Sequence, residues 1–160
     1  MRYKSRHLWV VEAAYLAIRV QRTYDKAGLH TAKLLKGNLM KIVLKLEEVA
    51  ALGLAFYLFL GLEYAWWWFF VLLLAPDLSM IGYLAGPKIG ALAYNVAHHK
   101  GIAILIYIVG AYFNNQLLQL IGLILFGHSS MDRALGYGLK YPDSFQNTHL
   151  GIIGKQAAHH

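Results

Sequence analysis

The chain has 160 residues, of which 58% are hydrophobic and only 14% charged, with a mean hydropathy of +0.44. A soluble domain carries about a quarter charged residues, so the composition points to a membrane protein, and the length suits one domain of four spans of about 20 residues each. With no cysteine, thiolate metal sites, thiol nucleophiles and disulfides are excluded, and the formal charge of +7 sits mostly at the ends of hydrophobic segments, where it speaks for lipid headgroups and against nucleic acid.

Residues 1–41 form a basic arm. Its apolar stretch, Leu8 to Ile18 interrupted by Glu12, is too short to cross a bilayer. Glu12, Tyr15, Arg19 and Arg22 fall on one helical stripe, which predicts an amphipathic helix lying along the interface or docking on a second copy or a larger membrane complex. The basic start lacks a small-residue cleavage site and does not read as a signal peptide.

Residues 42–155 predict an all-α polytopic bundle of four transmembrane helices with a polar tail. The runs lie at about 46–62, 65–84, 89–112 and 116–135. Glu47-Glu48 stand at the entry of the first, and Trp66-Trp67-Trp68 open the second as a headgroup anchor. Gly61 to Tyr64, Gly86-Pro87 and Asn114-Asn115 make the turns, with Pro87 in the first turn of the third helix. Of the 15 Lys and Arg residues, ten precede Leu46, Lys88 lies in the second connection, Arg133, Lys140 and Lys155 follow the fourth run, and only Lys100 falls within a span. The positive-inside rule then places both termini in the cytoplasm. The closing residues 156–160, ending in His159-His160, read as a purification-tag remnant.

Ionisable groups inside spans cost about 2.5 to 3.5 kcal/mol on insertion scales and normally face a bundle interior. Here Asp77, Asn95, His98, His99, His128 and Asp132 all fall in the cytoplasmic halves of their runs, at one depth. His128 and Asp132 are four residues apart, and Asn95 lies three before His98, so each set projects from one helical face. Pro76 loosens the second helix beside Asp77 and frees a backbone carbonyl that a polar cavity can satisfy. Each residue has a plainer reading too: a helix–helix hydrogen bond for a His or Asn, a helix N-terminal effect for Glu47-Glu48, neutralisation of Asp132 by Arg133, and a headgroup contact for His99-Lys100.

At PDLSMIGYLAGPKIGALAYNVAH (Pro76 to His98) and HSSMDRALGYGLKYPDSFQNTHLG (His128 to Gly151) the chain resembles a bacterial family of small integral membrane proteins known as domain of unknown function 4260. The resemblance covers about Leu44 to Gly154 and implicates Asp77, Tyr94-Asn95, His98, His128, Asp132-Arg133, the run Gly136 to Tyr141, and Thr148-His149. It brings no activity with it, and implies the bacterial inner membrane as location.

The leading functional expectation is a metal-dependent enzyme acting on a lipid or other amphipathic substrate from the cytoplasmic leaflet. Asp77, His98, His128 and Asp132 are the expected ligands of Zn²⁺, Mn²⁺ or Fe²⁺, with Asn95 completing the catalytic set as ligand or orienter. Arg133, Lys140 and His149 are the expected binders of a phosphate or carboxylate headgroup. The competing readings are a non-catalytic accessory subunit, a proton relay or transporter, and a haem held between His98 and His128.

Overall fold

The computed structural model describes residues 4–154, so the tag-like segment 156–160 lies outside the described residues. The chain divides into two compact units, Met1–Val43 and Leu44–His160. In the first, the arm is helical, as expected, from Lys4 onward. Every residue from Tyr15 to Val43 is exposed, and short-range bonds such as Thr23 Oγ1 donating to the Arg19 carbonyl stay within the helix.

The second unit is built mainly of helices: the end of α1 (Lys4–Phe59), α2 (Trp67–Leu72), a 3-10 helix (Ala75–Ala85), α3 (Pro87–Ala97), α4 (Lys100–Tyr112) and α5 (Gln116–Leu135). The polar tail carries a small antiparallel hairpin, β1 (Asn147–Thr148) and β2 (Gly151–Ile152). Phe59, Phe69, Leu73, Leu120, Leu123 and Ile124 pack into the apolar core, with the Phe59 and Phe69 rings 5.4 Å apart edge to face.

Local signals explain the joints. Gly86 takes φ +109°, a conformation that suits glycine, and Pro87 follows in the first turn of α3. Asn114 takes φ +51° and Asn115 caps α5 by accepting from Leu118 N at 3.1 Å. Between α4 and α5 the backbones nearly touch, because a Cβ on Gly122 would lie 2.6 Å from Tyr107 N and one on Gly110 2.6 Å from Gln119 N.

Two sequence expectations are corrected. The third run, 89–112, is not one helix: α3 stops at Ala97, and α3 and α4 meet at a 46° bend. His99, in extended conformation, caps α4 through its Nδ1 accepting from Ile102 N at 3.3 Å. Glu47-Glu48 do not begin a helix either, since α1 runs through them; Glu48 instead pairs with the Lys100 ammonium. An ammonium and a carboxylate that are both largely buried satisfy one another there, which removes the cost of either alone.

By length and composition, the segment Trp67–Ala85 is apolar enough to cross a membrane, and the bent pair α3–α4 makes a second candidate if taken as one broken span.

Candidate metal centre

The site begins with a missing hydrogen bond. In the 3-10 register an N–H reaches back three residues, and Asp77 N indeed donates to Leu74 O at 3.3 Å. The donor for Leu73 O would be Pro76 N, which has no hydrogen. The Leu73 carbonyl is therefore free to accept from His128 Nδ1 of α5, at 2.6 Å. The carbonyl predicted from Pro76 alone is thus found, and it sets the orientation of an imidazole.

His98, the residue closing α3, is held in a matching way, its Nδ1 lying 2.8 Å from the Tyr94 carbonyl. A carbonyl oxygen only accepts, so each Nδ1 atom carries a proton, and in a ring with one proton Nε2 is then a lone pair. Those two Nε2 atoms face each other at 2.8 Å. Both histidines are fully buried.

Carboxylates flank the pair. Asp77 Oδ1 lies 3.5 Å from His98 Nε2 and 3.4 Å from His128 Nε2. Asp132 reaches the same two atoms at 3.5 and 3.8 Å. The two differ in access: the Asp77 side chain is 37% exposed and that of Asp132 10%. Ligand atoms of Asp77, His98 and His128 all lie within 4.8 Å of one another, a group able to hold a metal ion. The sequence expectation that Asp77, His98, His128 and Asp132 converge at one point is met in the geometry.

The other expected residues lie nearby in different roles. Asn95 does not turn to the histidines; its amide clasps the tail, accepting from Lys140 N at 2.7 Å and donating to Lys140 O at 2.8 Å. Arg133 does not neutralise Asp132 but donates to the carbonyls of Tyr137 and His98, at 2.6 and 3.4 Å. His149 Nδ1 accepts from Leu139 N at 2.8 Å within the tail. Lys140 is 4% exposed, its ammonium 4.0 Å from the Phe145 ring centroid and 5.1 Å from that of Tyr94.

Tyr94 stood in the motif resemblance but had no role in the expected ligand set. Its hydroxyl donates to Asp132 Oδ2 at 2.5 Å, and its ring stacks on His98 with centroids 3.7 Å apart. The signal was present in the spacing, since residues 94 and 98 are one helical turn apart and share a face.

With this geometry in place, the family described as Domain of unknown function (DUF4260) matches residues 41–153. The chain belongs to this family. No curated protein and no solved structure matches it. The whole His/Asp cluster and the tail that Asn95 clasps lie inside the DUF4260 region, while the arm up to Met40 lies outside it.

Proposed function

We propose that this DUF4260 protein is a multi-pass membrane enzyme whose His98, His128 and Asp77 would hold a divalent metal ion, with Asp132 beside it, for hydrolysis of a lipid or other amphipathic substrate. One observation carries the reading: two imidazole Nε2 atoms face each other at 2.8 Å, each ring fixed by a carbonyl at its Nδ1. Lone pairs so placed repel unless a cation lies between them, and fixed outer partners of this kind are how proteins aim metal-binding imidazoles. Tetrahedral Zn²⁺ with bonds of about 2.0 to 2.1 Å needs nitrogens about 3.3 Å apart, so the rings would part by roughly half an ångström. A bis-imidazole haem needs about 4 Å between the nitrogens with the macrocycle between them, and fits poorly.

The half-open Asp77 side supports a catalytic rather than a closed structural site, which would have four protein ligands and no access. A divalent metal held by these residues would supply activation of water as a nucleophile. Asp132 is then suited to accept a proton, its Oδ2 fixed by the Tyr94 hydroxyl and its Oδ1 left without a hydrogen bond among the described residues. A second reading rests on the same contact, because 2.8 Å is also the length of an N–H···N hydrogen bond: one shared proton would make the pair part of a proton relay.

Elemental analysis and the visible absorption spectrum of the purified protein separate these. About one equivalent of Zn, Mn or Fe without a haem band is expected. A folded protein free of metal would sink the enzyme reading in favour of the relay or of an accessory subunit.

The membrane reading is supported by an inverted distribution of polarity. Four of the six largest fully buried side chains are His98, His128, Ser129 and Ser130, while Leu78, Leu84, Leu92, Leu105 and Tyr112 are 61% to 90% exposed. Four crossings at 46–62, 65–84, 89–112 and 116–135, with both termini in the cytoplasm of a bacterial inner membrane, accommodate it. The arm would meet anionic headgroups or a second membrane subunit. Single cysteines placed at Glu63 and Asn114 should react with an impermeant thiol reagent from outside; protection there with labelling from inside would overturn the topology.

A further inference from the structure

The Lys140 residue is almost wholly buried, and its ammonium has no anion among the described residues. Lys140 is 4% exposed, and among the described residues no carboxylate lies within ion-pair distance of it and no acceptor takes its three N–H groups. Its nearest neighbours are aromatic faces, Phe145 at 4.0 Å and Tyr94 at 5.1 Å. Burial pushes its pKa below the usual lysine range, and the Asp132 carboxylate opposes that shift. A buried cation without a counter-ion is costly, and this one is not placed by accident: both backbone groups of Lys140 are pinned by the Asn95 amide.

Position adds the second element. Tyr94, under the ammonium, is the residue stacked on His98 and bonded to Asp132. Phe145 in turn packs edge to face on Tyr83, with ring centroids 5.3 Å apart, and the buried Tyr83 hydroxyl also has no hydrogen-bond partner among the described residues. An anionic oxygen arriving at this ammonium, beside the Tyr94 that stacks on His98, would meet a cation that lacks a partner among the described residues. An ammonium is a compact point charge with three rotatable donors, which suits tetrahedral phosphate, whereas planar carboxylates are matched by the arginine fork. The geometry points to Lys140 as the binding group for a phosphate of the substrate, and Arg133 and His149, bonded to backbone groups, take no part in it.

This deepens the metal-hydrolase reading and rests on it for the word substrate, but the phosphate site is testable apart from it. Full-length protein, purified in detergent with whatever metal it retains, is titrated with inorganic phosphate and with a short-chain phosphatidic acid, and metal content is measured on the same samples. Wild type is expected to bind, Lys140→Met to bind about tenfold or more weakly, as for loss of a charged hydrogen bond, and Lys140→Arg to stay within a few-fold. Metal content should be equal in all three. Phosphate displaced by the lipid assigns the anion to a headgroup, and phosphate that the lipid fails to displace assigns it to a free phosphate compound. If wild type holds no metal yet loses phosphate on Lys140→Met, the phosphate site stands and the hydrolase reading falls. Should Lys140→Met not fold, Lys140→Gln, which keeps most of the stem, takes its place. Equal binding by wild type and the variant, or no binding of either probe by wild type, overturns the proposal.

Discussion

Replacing His128 by alanine is expected to abolish bound metal, from about one equivalent to near none, and to lower stability as well. The two effects have separate causes. Removing Nε2 would delete one of the two proposed imidazole ligands, where disturbing even an outer partner of a ligand costs about 10- to 100-fold in affinity. Removing Nδ1 strips the Leu73 carbonyl of its donor, and an unsatisfied buried polar group costs about 1–3 kcal/mol. His128→Asn separates them, because its amide can still donate to the Leu73 carbonyl while offering nothing in place of Nε2. Elemental analysis beside thermal unfolding should find both variants without metal and the asparagine variant the more stable of the two. Metal retained by either at wild-type stoichiometry would remove His128 from the ligand set.

The second large effect is expected at Gly122→Ala. A Cβ there would stand 2.6 Å from Tyr107 N, 2.8 Å from Ala103 O and 2.8 Å from Tyr107 Cα, all backbone atoms that cannot swing aside. Helices α4 and α5 must separate, at about 1–3 kcal/mol for a single added methyl group in a tight core. Because α5 carries His128 and Asp132 while α4 follows directly on His98 and His99, the strain should also loosen metal binding. Gly53→Ala is the control: nothing lies within 4 Å of a Cβ at that helical position, and alanine there should be neutral or stabilising by up to about 1 kcal/mol. Thermal unfolding in the same detergent compares the pair, and a Gly122→Ala protein as stable as Gly53→Ala would mean that the helices do not pack backbone to backbone.

Both predictions depend on close approach between segments, and that marks how far the sequence could be read. Breaks coded by the local chemistry of one or two residues were legible: Gly86-Pro87 through positive φ and a fixed φ, Asn114-Asn115 through left-handed tolerance and a side-chain cap. The four converging residues were legible because polar groups in an apolar run have nowhere to go but inward. The bend at His98–His99 was not, because no Pro marks it and Gly101 lies inside α4; a histidine side chain folded over Gly101 and capping α4 supplies what a breaker residue otherwise would. Nor were the partners of the lysines: Glu48 and Lys100 are 52 positions apart and meet only when the helices pack.

The sequence by itself determined that this protein is mostly helical and of membrane-like composition, that it belongs to the DUF4260 family, and that Asp77, His98, His128 and Asp132 are the residues to watch. It also determined, through the missing proline N–H, that a carbonyl near Asp77 would be free. Only the tertiary structure decided what that carbonyl holds, that two Nε2 atoms meet head-on, that Tyr94 rather than Arg133 partners Asp132, and that Asn95 serves the tail and not the His/Asp cluster. Composition, turns and missing donors are properties of adjacent residues. Which lone pair faces which depends on the rotation of each helix about its axis, and that is set by glycine-sized contacts between segments far apart in the chain.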